Sequence, residues 1–266
     1  MTKETCSYIR CKTTKVKAVK LTQPTIQFKG LKLFTINLLD FTNLTSFLKK
    51  HLNTEEINRA NKFRFSKDRN RFIICRAVLK CILSEIVTLN TNQINFAYNK
   101  NNKPYLASHS SIYFNLSHSH DYALIGIANS EIGVDIEYID ENFVFNDILT
   151  NVFNTQEIYK VNKSVDKHLC FYKLWTRKEA YVKHIGIGVD DSIKKLNVIE
   201  GMHPVKPAFI SNKTNIDIIS FNVNKSYIAS IALNEKQKVS NTIKLHEISP
   251  NFILNVEKTG FEPVTS

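Results

Sequence analysis

Residues 132–138 have the sequence IGVDIEY, and residues 168–186 have the sequence HLCFYKLWTRKEAYVKHIG. Ile132, Val134 and Ile136 alternate with the other residues of the first stretch, which predicts a strand buried on one face. Apolar residues recur at helical spacing in the second stretch, and a glycine follows, which predicts a long helix ending at Gly186. A strand with two acids and a helix with several charges are therefore the first candidates for a functional site.

The rest of the chain predicts an α+β fold. Sequence patterns predict strands at residues 31–38, 94–98, 112–116 and 122–128, helices at 44–52, 68–88, 145–152 and 155–161, and a β-rich stretch at 197–233. Thr54 is the predicted N-cap of a further helix. The order strand, helices, strands occurs on both sides of about residue 130, so we expect two halves packed side by side, although no sequence repeat is evident.

This pattern predicts four segments. Residues 1–30 are rich in Lys and Thr and nearly free of acids, so we expect a flexible basic arm. We expect residues 31–130 and 131–250 to form the two halves, and residues 251–266 to form a tail.

The composition limits the classes of function. The chain has 266 residues and a formal net charge of +12, which favours a polyanionic partner or a solvated basic surface. The cysteine count of five is odd, and no C-x-x-C spacing occurs, so we expect free thiols in a reducing cytoplasm. The sequence predicts no secretory signal and no membrane span.

Asp135 and Glu137 lie two residues apart on the predicted strand, so their side chains share one face. Two carboxylates on a largely buried strand repel each other, and a bound cation would relieve the repulsion. Magnesium prefers such oxygen ligands. The alternative is a solvent-facing edge of the strand.

Trp175, Glu179 and Lys183 are spaced by four residues and share one face of the predicted helix. A surface ion pair beside a core tryptophan would explain them equally well. Because the helix also offers apolar residues on its other side, a charged pair beside the tryptophan favours a cleft.

Residues 115–120 (NLSHSH) lie between two predicted strands and suggest a polar, ligand-facing loop. Hydroxyls and imidazoles donate hydrogen bonds to phosphate oxygens. A Ser–His nucleophile is disfavoured, because no G-x-S-x-G motif occurs and adjacent Ser117 and His118 point to opposite sides of an extended chain. A metal site at His118 and His120 lacks a third ligand nearby, and a simple polar turn is the alternative.

Basic residues are concentrated at 59–71, followed by Lys100 and Lys103. Arginine binds phosphate through its planar fork of donors, whereas a solvated helix face would explain the same charges. Interleaved aromatics typical of RNA-binding folds are not evident.

These segments together resemble the 4′-phosphopantetheinyl transferases of the surfactin-synthetase-activating type. The resemblance spans residues 31–235 and rests on residues 63–79, 102–106 (NKPYL), 114–119 (FNLSHS), 133–137 (GVDIE) and 171–183 (FYKLWTRKEAYVK), followed by Gly186-Ile187-Gly188. It implies a pseudo-dimer of two similar α/β halves with coenzyme A in the cleft between them. It also implies a cytoplasmic monomer that transfers 4′-phosphopantetheine from coenzyme A to a serine of an apo acyl or peptidyl carrier protein, releasing adenosine 3′,5′-bisphosphate.

The resemblance also implies residue roles. Asp135, Glu137 and Glu179 match magnesium ligands, and Glu179 and Lys183 are the candidate catalytic residues. The positions that match coenzyme A contacts are Arg71, Lys100, Lys103, Asn115, Ser117 and His118. Glu55 and Asn58 stand where some relatives carry lysines for the 3′-phosphate, so Lys62, Arg64 or Lys67 would have to replace them.

Two other functions remain open on sequence alone. A magnesium-dependent nuclease or nucleotidyl transferase would use similar carboxylates and a basic surface, and a non-catalytic module could bind carrier proteins on the same fold. Intact Asp135, Glu137, Glu179 and Lys183 disfavour the non-catalytic module. We expect neither a nucleic-acid partner nor a membrane partner.

Overall fold

The computed structural model describes residues 7–186, 191–205, 215–237 and 239–258. The strands are β1 Ser7–Thr13, β2 Lys15–Leu21, β3 Lys32–Asn37, β4 Phe96–Tyr98, β5 Pro104–Leu106, β6 Tyr113–Ser119, β7 Tyr122–Ala128, β8 Ile132–Tyr138, β9 Gly201–Val205, β10 Ile216–Asn222, β11 Tyr227–Asn234 and β12 Thr242–Ile248. The helices are α1 Thr45–Leu48, α2 Thr54–Asn61, α3 Ser66–Val87, α4 Asn146–Val152, α5 Thr155–Lys163, α6 Lys167–Ile185 and α7 Pro250–Lys258. Ile187, Gly188 and the ends of the predicted arm and tail lie outside the described residues.

The strands form two five-stranded sheets, with β4 and β5 as a separate ribbon. The first sheet has the order β2-β12-β3-β7-β6, and the second has the order β8-β11-β10-β1-β9. The edge strand β6 of the first sheet packs against the edge strand β8 of the second. The predicted α+β pseudo-dimer is confirmed, and the contact between the two edges is where its halves meet.

Hydrophobic packing occurs in three clusters. One lies around α3 and the first sheet, and a second lies around α6 and the second sheet. A third joins the two sheets through residues such as Leu33, Val134 and Ile231, which are all fully or almost fully buried. The apolar alternation of β8 places Val134 in this third cluster, which leaves Asp135 on the opposite face.

The N-terminal segment is a structural element of both halves. Strand β1 pairs in parallel with β10 in the second sheet, whereas β2 pairs in parallel with β12 in the first. Ile9 and Cys11 are buried. The prediction of a flexible arm over residues 1–30 is therefore wrong for residues 7–21, because alternating apolar residues there complete the two sheets.

The C-terminal segment returns to the first half. Strand β12 pairs with β2 and β3, and Phe252 and Ile253 of α7 are fully buried in the core around α3. The expected assignment of residues up to 250 to the second half and of residues from 251 to a tail is thus wrong for β12 and α7.

The two halves share a short capping motif that the sequence patterns did not reveal. Asn53 caps α2 and exchanges hydrogen bonds with Glu56, and Asn154 caps α5 and exchanges the same bonds with Glu157. The predicted N-cap Thr54 is instead the first residue of its helix. The short repeats are NTEEI at 53–57 and NTQEI at 154–158.

Each capping glutamate also pairs with a buried lysine of the long helix in its half. Lys80 Nζ lies 3.2 Å from Glu56 Oε2, and Lys178 Nζ lies 2.9 Å from Glu157 Oε2. Lys178 also donates to the carbonyls of Ile193 and Leu196. The pairs fix the short helix of each half against its long helix in the same way.

Four cysteines of the described segments, Cys11, Cys75, Cys81 and Cys170, are buried free thiols. No helix within the described ranges is long and apolar enough to cross a bilayer.

Candidate active site

Strand β8 contacts helix α6 through Gly133. A Cβ atom at this position would lie 1.9 Å from the Ala180 carbonyl oxygen and 2.3 Å from the His184 backbone nitrogen. Since such distances are far below van der Waals contact, only glycine allows the helix to pack this closely. This contact sets the height of α6 above the strand that carries Asp135 and Glu137.

Strand β6 faces β8 with a row of polar side chains spaced two residues apart. Val134 N donates to Asn115 Oδ1 at 2.9 Å, Ser117 Oγ donates to Asp135 Oδ1 at 2.8 Å, and Ser119 Oγ donates to Glu137 Oε2 at 2.7 Å. The alternation of an extended strand gives the three side chains a common face. Polar bonds between the edges of the two sheets therefore fix both acids of β8.

This row changes the interpretation of residues 115–120. The predicted polar loop is strand as far as Ser119, and the turn consists of His120 and Asp121. Ser117 faces β8, whereas His118 lines a pocket on the other side of the strand. The sequence-based objection to a Ser117–His118 nucleophile pair is confirmed.

Helix α6 presents Trp175, Glu179 and Lys183 on one half-buried face, as the spacing predicted. Trp175 stacks on Phe171, with ring centroids 6.1 Å apart. Lys183 Nζ donates to Asp135 Oδ1 at 2.6 Å and to Ser117 Oγ at 3.0 Å. Lys183 thus connects α6 to the row of hydrogen-bonded polar side chains between β6 and β8.

The three carboxyl groups share an unfavourable electrostatic environment. Burial raises the pKa of Asp135, although Lys183 and Ser117 oppose that rise. Burial and the neighbouring Asp135 raise the pKa of Glu137 to about 7, and the same two causes raise the pKa of Glu179. Additional positive charge at this position would favour the ionised form of all three acids.

One atom of the site lacks a partner. Asp135 is 2% exposed, and its Oδ2 atom is buried without a hydrogen bond, whereas Oδ1 accepts from both Lys183 and Ser117. Among the described residues, no three His, Cys, Asp or Glu side chains are arranged as a complete metal site. The free oxygen and the neighbouring acids nevertheless fit a hard cation that takes its remaining ligands from water or substrate.

A pocket of about 230 Å³ opens on the His118 side of β6. Its polar lining includes Arg59, Arg76, Asn102, Asn115 and His118. Burial and the nearby Arg71 lower the pKa of His118, which favours the neutral imidazole. Neutral imidazole and guanidinium groups can bind phosphate oxygens without charge repulsion between ligand and site.

Arg76 also lines this pocket, although the sequence did not indicate it as a candidate site residue. Its Nη1 atom is buried without a partner, and its guanidinium lies 4.6 Å from the centroid of the Phe96 ring. The only sequence signal is that Arg76, like Lys80, is a basic residue within the apolar part of α3. The basic residues Lys62, Arg64 and Lys67 are exposed and do not line the pocket.

The remaining candidate residues have varied positions. Arg71 forms an ion pair with Asp68, with an N–O distance of 3.1 Å, and Lys100 is exposed in the turn after β4. Lys103 Nζ donates to Glu131 at 2.6 Å and to the carbonyls of Ile132 and His184. Lys103 therefore spans the two halves, and Asn115 holds Val134, so both have structural partners.

The chain is similar to known proteins over most of its length. Residues 41–130 match the N-terminal family of 4′-phosphopantetheinyl transferase, and residues 131–232 match the 4′-phosphopantetheinyl transferase superfamily. It is 31% identical to the 4′-phosphopantetheinyl transferase HetI of Nostoc sp. over 190 residues, which are 68% of this chain and 78% of the relative.

Two further relatives have related names. The 4′-phosphopantetheinyl transferase psf-1 of Bacillus pumilus is 31% identical over 60% of this chain and 70% of its own length. The L-aminoadipate-semialdehyde dehydrogenase-phosphopantetheinyl transferase of Homo sapiens is 26% identical over 55% of this chain and 52% of its own length.

Proposed function

Because the chain belongs to the 4′-phosphopantetheinyl transferase superfamily, we propose that it transfers 4′-phosphopantetheine from coenzyme A to a serine of an apo carrier protein. The observation that carries this proposal is the seam between β6 and β8, where Lys183, Ser117 and Asp135 form one hydrogen-bonded group. Two carboxylates of the same strand and one of α6 are grouped around it.

Coenzyme A is the proposed donor. Its phosphates would extend from Lys183 and Ser117 toward the pocket lined by His118, Arg59 and Arg76. Arg59 and Arg76 are better placed for the 3′-phosphate than Lys62, Arg64 or Lys67, since those three residues lie outside the pocket. Arg71 would contribute at longer range through its charge, which already acts on His118.

Asp135, Glu137 and Glu179 would hold magnesium, with the unpartnered Oδ2 atom of Asp135 as one ligand. The ion would supply neutralisation of the negative charge that develops on the pyrophosphate oxygens. The reaction itself exchanges one phosphorus–oxygen bond for another. The serine oxygen bonds to the phosphorus that carries pantetheine, and the bond to the departing adenosine 3′,5′-bisphosphate breaks.

Two residues of α6 would move protons in this step. Glu179 has a raised pKa, which suits a carboxylate that accepts the serine proton. Lys183 would neutralise or protonate the leaving phosphate, one helical turn from Glu179. If Glu179→Gln kept full turnover while Asp135→Ala abolished it, the assignment of the base would be wrong.

Acidic carrier proteins are the proposed partners, because the formal net charge of this chain is +12. Opposite charges would accelerate the encounter and make its rate sensitive to salt.

The direct test is incubation of the protein with coenzyme A, magnesium and apo carrier proteins of the fatty-acid, polyketide, peptide-synthetase and aminoadipate-reductase types. Intact mass should show a gain equal to one phosphopantetheine group on at least one carrier. Asp135→Asn should abolish the gain, and Asp147→Asn at an exposed position of α4 is the matched control. Four unmodified carriers would contradict the proposal.

A further inference from the structure

A second pocket, of about 250 Å³, opens between the start of β3 and the start of β12. Its polar lining consists of Lys29, Lys32, Ser240, Lys244 and His246, above apolar side chains that include Leu33 and Ile243. We refer to these five polar residues as the lysine pocket. Neither the reaction nor the resemblance gives them a role.

The lysine pocket is lined by three lysines and, among the described residues, by no acidic side chain. Within the described segments no ion pair involves Lys29, Lys32 or Lys244. Burial and the neighbouring Lys244 lower the pKa of Lys32. Lys32 is partly buried, whereas Lys29 and Lys244 are exposed at the rim of the pocket. Since a partly buried cation is usually paired, Lys32 leaves the charge of a counter-ion to be supplied from outside the pocket.

His246 provides an independent observation. Its Nδ1 atom is buried without a hydrogen-bond partner, while its ring packs on Phe34 with centroids 5.5 Å apart. Burial, Lys32 and Lys244 lower the pKa of His246. A neutral imidazole carries one N–H donor, and the ring lies in the lining of the pocket beside the lysines.

The lysine pocket lies away from the proposed active site. Lys32 is paired with Ile127, and Ile127 is paired with Phe114 at the start of β6. Ser117 lies opposite Leu124, which lies opposite Thr35, so the active-site end of β6 is offset by three residues along the sheet. The offset corresponds to about 10 Å along the strands, in addition to about 10 Å across two strand spacings.

We propose that the lysine pocket binds a phosphate group, either as the free ion or on a small phosphomonoester. A multiply charged anion matches several lysines converging on one cavity, and lysine binds phosphate as a point charge from any direction. Lys32 and Lys244 would provide the ionic contacts, and the His246 ring would lie beside the bound phosphate. This site is independent of carrier-protein modification.

The test compares inorganic phosphate, glycerol 3-phosphate and sodium chloride at equal ionic strength. Phosphate or glycerol 3-phosphate should raise Tm and shift the imidazole resonances of His246, which His246→Gln identifies by their loss. Lys32→Gln/Lys244→Gln should weaken this binding at least tenfold. Lys195→Gln/Lys225→Gln removes two exposed charges elsewhere and should bind as the wild type does.

The two ligands distinguish the source of the phosphate, because tighter binding of glycerol 3-phosphate identifies a phosphomonoester and tighter binding of inorganic phosphate identifies the free ion. Unchanged His246 resonances, or a full response in Lys32→Gln/Lys244→Gln, would overturn the proposal. Should the double variant not fold, Lys244→Gln alone at an exposed position should still weaken binding. Failure of carrier modification would leave these results unaffected.

Discussion

Lys183 Nζ lies 2.6 Å from Asp135 Oδ1, so a lysine of α6 neutralises the buried carboxylate of β8. The same oxygen also accepts from Ser117, whereas Oδ2 has no partner. The lysine and a bound cation would therefore act on one carboxylate. The proposal that Asp135 binds magnesium requires such a free oxygen.

We predict opposite effects of two substitutions on magnesium binding. Asp135→Asn should abolish the rise in Tm that magnesium gives the wild-type protein, because a ligand is lost. Lys183→Met should lower Tm without metal, because an unpaired buried charge costs about 3–5 kcal/mol. It should also bind magnesium more tightly, since the competing cation is removed. Calorimetric titration measures the magnesium affinity of both variants, and thermal unfolding measures their Tm. Glu55→Gln is the control in both measurements.

A weaker magnesium affinity in Lys183→Met than in the wild type would contradict this account. It would mean that Lys183 supports the metal ligands rather than competing with the ion.

Gly133→Ala should separate helix α6 from strand β8. The added Cβ would lie 1.9 Å from the Ala180 carbonyl oxygen, and backbone atoms cannot move aside as a flexible side chain can. We expect a loss of about 2–3 kcal/mol or more in the free energy of unfolding, as for overpacked sites. Displacement of Glu179 and Lys183 by about 1 Å should reduce kcat/KM roughly 100-fold.

The matched control is Gly201→Ala, where no atom lies within 4 Å of the added Cβ although φ is +116°. It should cost about 1–3 kcal/mol through backbone strain alone and leave kcat/KM unchanged. Equal activity of Gly133→Ala and Gly201→Ala would show that the close contact does not position the catalytic face. Urea unfolding and the carrier-protein assay give the two readouts.

The sequence predicted the shared faces of the candidate site residues better than it predicted the boundaries of the fold. Asp135, Glu137 and the face of Trp175, Glu179 and Lys183 follow from local periodicity, which a single strand or helix determines by itself. The strand pairing of residues 7–21 depends on β10 and β12, more than 200 residues away. Lys-rich composition therefore indicated a flexible arm where tertiary pairing imposes strands.

The sequence also does not reveal that two of the predicted ligand-contact residues have structural partners. Asn115 and Lys103 match ligand-contact positions, yet Asn115 binds the Val134 backbone and Lys103 binds the backbone at Ile132 and His184. Composition cannot distinguish these uses, because an ammonium can donate to a carbonyl or to a phosphate, and an amide whose oxygen accepts from a backbone N–H can still donate to a phosphate. The sequence did not indicate a role for Arg76, because this residue lies among apolar residues of α3 and outside the run of basic residues at 59–71.

Stability should fall in acid because of His184. Burial and the nearby Lys103 lower its pKa from 6.5 to about 4. The unfolded chain therefore binds a proton between those values that the folded protein does not bind, and stability is lost as the pH falls from 6.5 toward 4. The loss is on the order of 3 kcal/mol for this shift.

Urea unfolding at pH 7 and pH 4.5 measures this effect. His184→Gln should reduce the difference in free energy of unfolding between the two pH values, whereas His109→Gln, at a partly exposed position, should preserve it. The same difference in His184→Gln and wild type would assign the acid sensitivity to another group.

The ion pairs of the two capping glutamates lead to a prediction about the stability of each half. Lys178 lies 2.9 Å from Glu157, and both side chains are almost fully buried. Burial lowers the pKa of Lys178 and raises that of Glu157, and each charged partner opposes the shift of the other. Lys178→Met should cost about 3–5 kcal/mol, because it leaves a buried carboxylate without its cation.

Glu157→Gln/Lys178→Met should cost less than Lys178→Met alone, because removing both charges leaves neither one unpaired. Lys80→Met should produce the same pattern with Glu56→Gln in the first half, where the corresponding distance is 3.2 Å. Its cost should be smaller, because Arg76 Nε also lies 3.6 Å from Glu56 Oε1. Urea unfolding of the wild type and all six variants, including Glu157→Gln and Glu56→Gln, completes a double-mutant cycle in each half. Additive costs in one half and coupled costs in the other would show that the repeated motif does not have the same role in both.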